Sequence, residues 1–287
     1  MSSSHALKMR LAPWALLLVS ASWGLAFVVM KDAIERQSVN SFLFTRFLVA
    51  VIAMFLLKPT VLRSINREVL RKGFIAGLFL AAGYILQTLG LALTGAAVTG
   101  FITGLYVVAT PVLAALVLKV RITAFTWGCV LLATVGLALL SLKGWNLGYG
   151  EFLVFLCAIA FAAHIIALSK WSPGRDVYAM TVVQLTVCAI LSGIASAFEG
   201  GYQLPPDSGV WATVIFTAVA CTAVAFVIQT WSQAHMSTTK VAVILTMEVV
   251  FAAIFAIAFG GETLTLQKAL GGVMVVIAMF VIVIKES

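Results

Sequence analysis

Apolar residues run along the chain in stretches of about 20, each closed by a short polar or charged interval. The runs fall near 11–30, 41–57, 73–93, 97–118, 123–142, 148–169, 177–198, 209–232, 237–259 and 264–284. About 20 apolar residues are what a helix needs to cross roughly 30 Å of hydrocarbon, so each run predicts one membrane span. Their apolar character is continuous, whereas barrel strands alternate over about 10 residues. The polar intervals are too short to hold a soluble domain. The pattern predicts an all-α polytopic membrane protein of ten transmembrane helices.

Composition agrees with the pattern. The 287 residues are 63% hydrophobic and 10% charged, against a soluble average nearer half apolar and a quarter charged. The formal charge of +8 raises nucleic acid as a partner, but the basic residues lie scattered in short intervals rather than clustered on a folded surface. They are instead informative about orientation. Thirteen of the 18 lysines and arginines fall in alternate intervals on one side, beginning with Lys8 and Arg10 and ending with Lys285, and four on the other (Lys31, Arg36, Lys143, Lys268). Arg46 lies inside a span. The positive-inside rule then places both termini in the cytoplasm. The first run, with Ser20-Ala21-Ser22, resembles a signal peptide, but the apolar stretch continues past the apparent cleavage site and is long enough to span. Cys129, Cys157, Cys188 and Cys221 all fall inside runs, without metal-ligand spacing, and read as small core residues.

Folded near residue 145, the two halves of the chain echo each other. Gln87-Thr88 corresponds to Gln229-Thr230, Pro111-Val112-Leu113-Ala114-Ala115 to Val249-Val250-Phe251-Ala252-Ala253, and Trp127-Gly128-Cys129-Val130-Leu131 to Leu270-Gly271-Gly272-Val273-Met274. Units of five helices, 1–145 and 146–287, enter the membrane from opposite faces because five is odd. Such inverted repeats around a central cavity belong to secondary transporters, in which the two units exchange conformations and so alternate access to the cavity.

Ser22-Trp23-Gly24 in the first span, Arg46-Phe47 in the second, Thr110-Pro111 in the fourth, Glu248 in the ninth and Gly261-Glu262 after it together carry a family resemblance. The chain resembles the drug/metabolite transporters. It is similar to the ten-helix EamA-type exporters, and among them to bacterial inner-membrane exporters of amino acids, including the aromatic amino acid exporters. The resemblance extends over the whole chain and implies efflux of small molecules from a multi-pass protein of the bacterial inner (plasma) membrane, with no cofactor. One departure is local: the family's penultimate span often carries Glu-Pro where this chain has Glu248-Val249. Pro111 is the expected hinge of span four; a bend in span nine has no proline to cause it.

Ionisable groups inside hydrocarbon are costly unless they face protein or water, which makes the few present the first candidates. Glu248, at the middle of span nine, suits a substrate ammonium or a proton; a neutral acid bridging helices is the packing alternative. His164 in span six suits a proton relay or a hydrogen bond to substrate, with a packing histidine as the other reading. Arg46 is placed near enough to the end of its span to snorkel to the interface, or else to hold a carboxylate. Thr99, Thr103, Tyr106 and Thr110 recur at steps of four, three and four, which predicts a polar stripe down span four. Gly100 and Gly104 form a small-residue ridge beside it. Tyr84, Gln87 and Thr88 in span three, Gln184 in span seven and Gln229 in span eight supply donors and acceptors, and Trp23 a flat wall. Together these describe an apolar cavity with a few polar anchors, although the same side chains also serve in helix packing and interfacial belts.

The expected activity is export of amino acids or other small amphiphilic metabolites by alternating access, by a chain able to act as a monomer among membrane lipid. No Walker-type loop is present to bind a nucleotide. A nucleotide-sugar or sugar-phosphate transporter is the near alternative; it calls for clustered basic groups at mid-membrane, and only Arg46 and Lys240 approach that position. An intramembrane enzyme using His164 and Glu248 lacks a zinc helix, a nucleophile elbow or paired aspartates. A channel requires a symmetric assembly that an internally duplicated chain does not advertise.

Overall fold

Local capping chemistry sets where many of the helices begin. Ser38, Asn66, Asp176 and Asp207 each accept a backbone N–H from two or three residues further on, the N-cap arrangement that satisfies otherwise orphaned donors. The computed structural model describes residues 3–118, 123–143, 146–171, 174–233 and 238–285. Its first half contains α1 (Ser3–Arg36), α2 (Val39–Leu57), a 3-10 turn (Pro59–Ser64), α3 (Arg67–Leu93), α4 (Ala96–Gly104), α5 (Tyr106–Leu118) and α6 (Ala124–Ser141). A two-residue antiparallel pairing of Leu142–Lys143 with Asn146–Leu147 joins the halves. The second half contains α7 (Tyr149–Trp171), α8 (Val177–Phe198), α9 (Ser208–Ile215), a π-helix (Phe216–Val224), α10 (Ala225–Gln233), α11 (Thr238–Ala258) and α12 (Leu266–Lys285).

Each predicted apolar run is occupied by helix, with two interruptions that periodicity does not show. The fourth run breaks at Leu105, whose N–H turns back to Ile102 O at 3.1 Å. The eighth passes through nine residues of π-helix. The first helix runs unbroken through Ser20-Ala21-Ser22. Among the described residues six helices are long and apolar enough to cross a membrane, and Ala96–Thr110, Trp127–Leu139, Met247–Ala258 and Leu266–Val281 form shorter apolar helices. Large apolar side chains cover the periphery, Leu56 at 76% exposed and Leu18 at 72%. Water would not tolerate that surface; lipid requires it.

The molecule is an all-α polytopic membrane protein with a two-repeat architecture, and its packing follows from that. The principal partners are α3 with α7 and α8, α1 with α11, α2 with α8, α4 with α11 and α6 with α12, so the halves interleave instead of lying side by side. The pairs α2–α8, α4–α11 and α6–α12 each join corresponding helices of the two halves, as a pseudo-two-fold demands. Close approach at α11 depends on glycine: a methyl group on Gly24 would lie 2.6 Å from Phe251 Cβ and 2.7 Å from Ala252 N, one on Gly100 2.6 Å from Ala252 Cβ, and one on Gly104 2.5 Å from Val249 Cγ2.

Polar ties fasten the halves together at both ends. At the end that carries the α1–α2 and α8–α9 connections, Arg36 pairs with Asp207 at 2.6 Å, Asn40 donates to Glu199 at 2.6 Å, and Ser41 meets Ser196 at 2.7 Å. There too Lys31 donates to Thr94 O within the first half, and Glu262 of the second half accepts the N–H of Ala96 at the start of α4. The positive φ of Gly261 (63°) turns the chain so that Glu262 reaches that position. At the opposite end Lys58 pairs with Asp176 at 3.2 Å and Arg175 with Glu68 at 2.5 Å.

Candidate functional site

Glu248 stands halfway along α11, one residue from the glycine-lined contact that holds α11 against α1 and α4. It is partly exposed although its helix is packed on several sides. Its carboxylate has Tyr84 of α3, Tyr106 of α5, Cys157 of α7 and Cys221 of the π-helix within electrostatic range. Its charge thus reaches groups on four elements besides its own. It is the one acidic side chain set in the middle of a span: the chain's nine others lie in the end turns of helices, at helix caps, in connections or at the chain's end.

Arg46 lies on α2 and is 2% exposed. Instead of snorkelling to the interface, the side chain runs sideways into the protein. Nε and Nη2 donate to Thr222 Oγ1 at 3.3 and 3.1 Å, and Nη1 approaches Met30 Sδ at 3.1 Å. The guanidinium carbon sits 5.0 Å from the centroid of the Tyr84 ring and 5.7 Å from that of Phe47, both in cation–π range. Seven residues into its helix, Arg46 lies about 10 Å from the helix start, and the aromatic and hydroxyl partners beside it hold it there.

The π-helix is what presents those partners. Its widened turn lets Thr222 Oγ1 donate to Thr217 O, five residues back, at 2.9 Å, while the same oxygen accepts from Arg46. Cys221 O, also within the π-helix, receives the indole N–H of Trp23 at 2.7 Å. Trp23 therefore clamps α1 to span eight as well as offering its ring, which faces Phe226 at 6.4 Å.

The other predicted residues divide into those brought into contact and those occupied locally. Gln87 donates to Thr103 at 3.2 Å, which joins α3 to α4. Tyr84 packs edge-on between Phe47 and Phe161 at 5.0 and 5.4 Å. His164 Nε2 meets Gln184 Oε1 at 2.6 Å, and the Gln184 amide donates to Met180 O at 3.0 Å. That second bond fixes the amide orientation, so His164 donates through Nε2 and the pair is an α7–α8 bridge. Thr99 and Thr110 donate to Gly95 O and Tyr106 O of their own helices. The predicted stripe is thus divided at Leu105, and of its hydroxyls Thr103 reaches another span. Pro111 lies within α5, six residues beyond the interruption. Gln229 keeps a buried Oε1 with no hydrogen-bond partner. Among the described residues no group of three or more His, Cys, Asp or Glu side chains is placed to hold a metal ion.

Sequence reasoning weighed Arg46 between interface and site, and it missed Thr222 and the π-helix altogether. The legible signal for the first was a lone arginine inside an apolar run. For the second there was none, since Thr217 and Thr222 five residues apart share no face of an α-helix.

Comparison with known proteins gives this arrangement a context. An uncharacterized transporter of Archaeoglobus fulgidus is 32% identical over 272 residues, 94% of this chain and 85% of that protein. A protein crystal structure with 14% sequence identity shares the fold at a TM-score of 0.63, over 99% of this chain and 98% of its own. The EamA-like transporter family matches twice in succession, at residues 10–142 and 148–284. With both halves of the chain so matched, this protein belongs to the EamA-like transporter family, within the drug/metabolite transporters.

Proposed function

We propose that the protein exports small metabolites, amino acids first, by alternating access between inverted five-helix units, residues 1–145 and 146–287. All ten apolar helices cross the inner (plasma) membrane and both termini lie in the cytoplasm, the side of the thirteen basic residues. The observation that carries this reading is the placement of Glu248. An acid at mid-span, partly exposed, with polar groups of four other elements around it, is built to meet a cation or a proton inside the bilayer. An amino group supplies the first, and Trp23, Tyr84, Tyr106, Gln87 and Thr103 supply the mixed aromatic and polar surroundings suited to an amphiphilic metabolite.

The test is counterflow in proteoliposomes with a panel of labelled aromatic, aliphatic and charged amino acids. Preloaded unlabelled substrate should accelerate uptake, and Glu248→Gln should reduce the rate at least about tenfold, the loss of one charge-assisted contact. A panel with no counterflow overturns the choice of cargo. Unchanged rate and pH profile in Glu248→Gln overturn the role of the acid.

A further inference from the structure

Arg46 raises a question that Glu248 does not answer. A guanidinium this buried within a spanning helix is costly unless it is partnered. The usual remedy is a carboxylate, yet among the described residues Arg46 has none within ion-pair distance: its named partners are one hydroxyl, one thioether and two aromatic faces. Thr222 takes the Nε–H and one N–H of Nη2, on the side of the fork, and Met30 takes one N–H of Nη1. Of the five donors of the group, this leaves one on each terminal nitrogen, the pair that an end-on carboxylate engages bidentately. The sulfur is a weak acceptor and yields readily to a better one.

The surroundings fix what else such an anion would meet. Tyr84 and Cys221 each lie within electrostatic range of both Arg46 and Glu248. The two charges thus act on the same tyrosine and the same turn of π-helix, and among the described residues no ion pair joins them.

Building on the proposed amino acid cargo, we propose that the free end of the Arg46 guanidinium, steadied by Thr222, binds the carboxylate of the transported molecule. The cargo is then a zwitterion, its carboxylate on Arg46 and its ammonium on Glu248. Each protein charge, uncompensated in the empty site, finds its partner in the substrate. Compounds that carry one of the two groups make half the contacts, and phosphorylated sugars, doubly anionic, match the single guanidinium poorly and meet repulsion from Glu248.

Three probes separate the contacts: L-phenylalanine carries both groups, L-phenylalaninamide lacks the carboxylate, and hydrocinnamate lacks the amine. Their half-inhibitory concentrations would be measured against labelled phenylalanine counterflow in the intact chain. The amide should compete at least about tenfold less well than the free acid, the usual magnitude for a charge-assisted bond. In Arg46→Met that ratio should collapse to near one. In Glu248→Gln it is the hydrocinnamate-to-phenylalanine ratio that should collapse. If the amide competes as well as the acid in the unaltered chain, the carboxylate site is overturned while the amino acid reading stands. The carboxylate site falls equally if the acid-to-amide ratio persists in Arg46→Met. If the double variant Arg46→Met/Glu248→Gln transports as the unaltered chain does, the two are merely each other's counter-ions and the proposal fails. An absence of counterflow for phenylalanine and every other amino acid removes the cargo class, and the zwitterion site with it.

Discussion

Trp23 shows how a single side chain can be misjudged from its type alone. As a ring it is interchangeable with phenylalanine, but its N–H occupies Cys221 O, a carbonyl within the irregular stretch of span eight. Trp23→Phe keeps the wall and frees the carbonyl. We expect a loss of about 0.5–2 kcal/mol, in the range of interhelical hydrogen bonds in membranes, measured by denaturant unfolding in detergent micelles; a neutral substitution would leave the ring as its sole contribution. Arg46 carries the same lesson with the opposite sign. Position in an apolar run made it conspicuous, but nothing in its spacing told an outward from an inward course. Glu248 was legible because a mid-span acid is expensive wherever it points. Thr222 was hidden because threonines are common in spans and its role depends on a change of helical register.

At the scale of elements, run length foretold where helix lies among the described residues, six of the helices being long and apolar enough to cross a membrane, since hydrocarbon admits one backbone solution for such runs. Interruptions escaped because they are set by neighbours. The break at Leu105 follows Gly104, where α4 meets Val249 of α11 and the Met279 side chain of α12, and it lies six residues from the proline expected to cause it. The glycine contacts predict a graded response. On α1, Gly24→Ala drives a methyl against backbone that cannot give way, and should cost about 1–3 kcal/mol as overpacking does. Gly128→Ala on α6, with open space around it, should be neutral or stabilise by up to about 1 kcal/mol through helix propensity. Thermal unfolding of both variants in the same detergent makes the comparison, and equal shifts would show that the α1–α11 approach is slack.

For the whole molecule, the ties between the halves govern how it holds its shape. Glu68, beside Lys72 and then Arg175, has its carboxyl held at about 2, below the ordinary 4.5. A lowered acid value means the tie is intact above pH 4.5 and is lost as pH falls towards 2. Asp176 is also lowered: burial pushes it up, but the Ala179 N–H, Ser64 and Lys58 outweigh burial. Spin labels at Arg71 and Val177 should therefore report a distance distribution that broadens between pH 4.5 and 2. Glu68→Gln should show that breadth already at neutral pH, and a distribution indifferent to both would mean apolar packing alone joins α3 to α8.

The ion pairs at the two ends, Arg36 with Asp207, Lys58 with Asp176 and Arg175 with Glu68, are partly open to solvent, a class of interaction that contributes little in water. In the proposed cycle, thermal fluctuation then suffices to open such ties. For the proposed exporter, ties this light at either end carry no built-in preference for outward flow: reversing the gradient of its cargo would reverse the direction of transport.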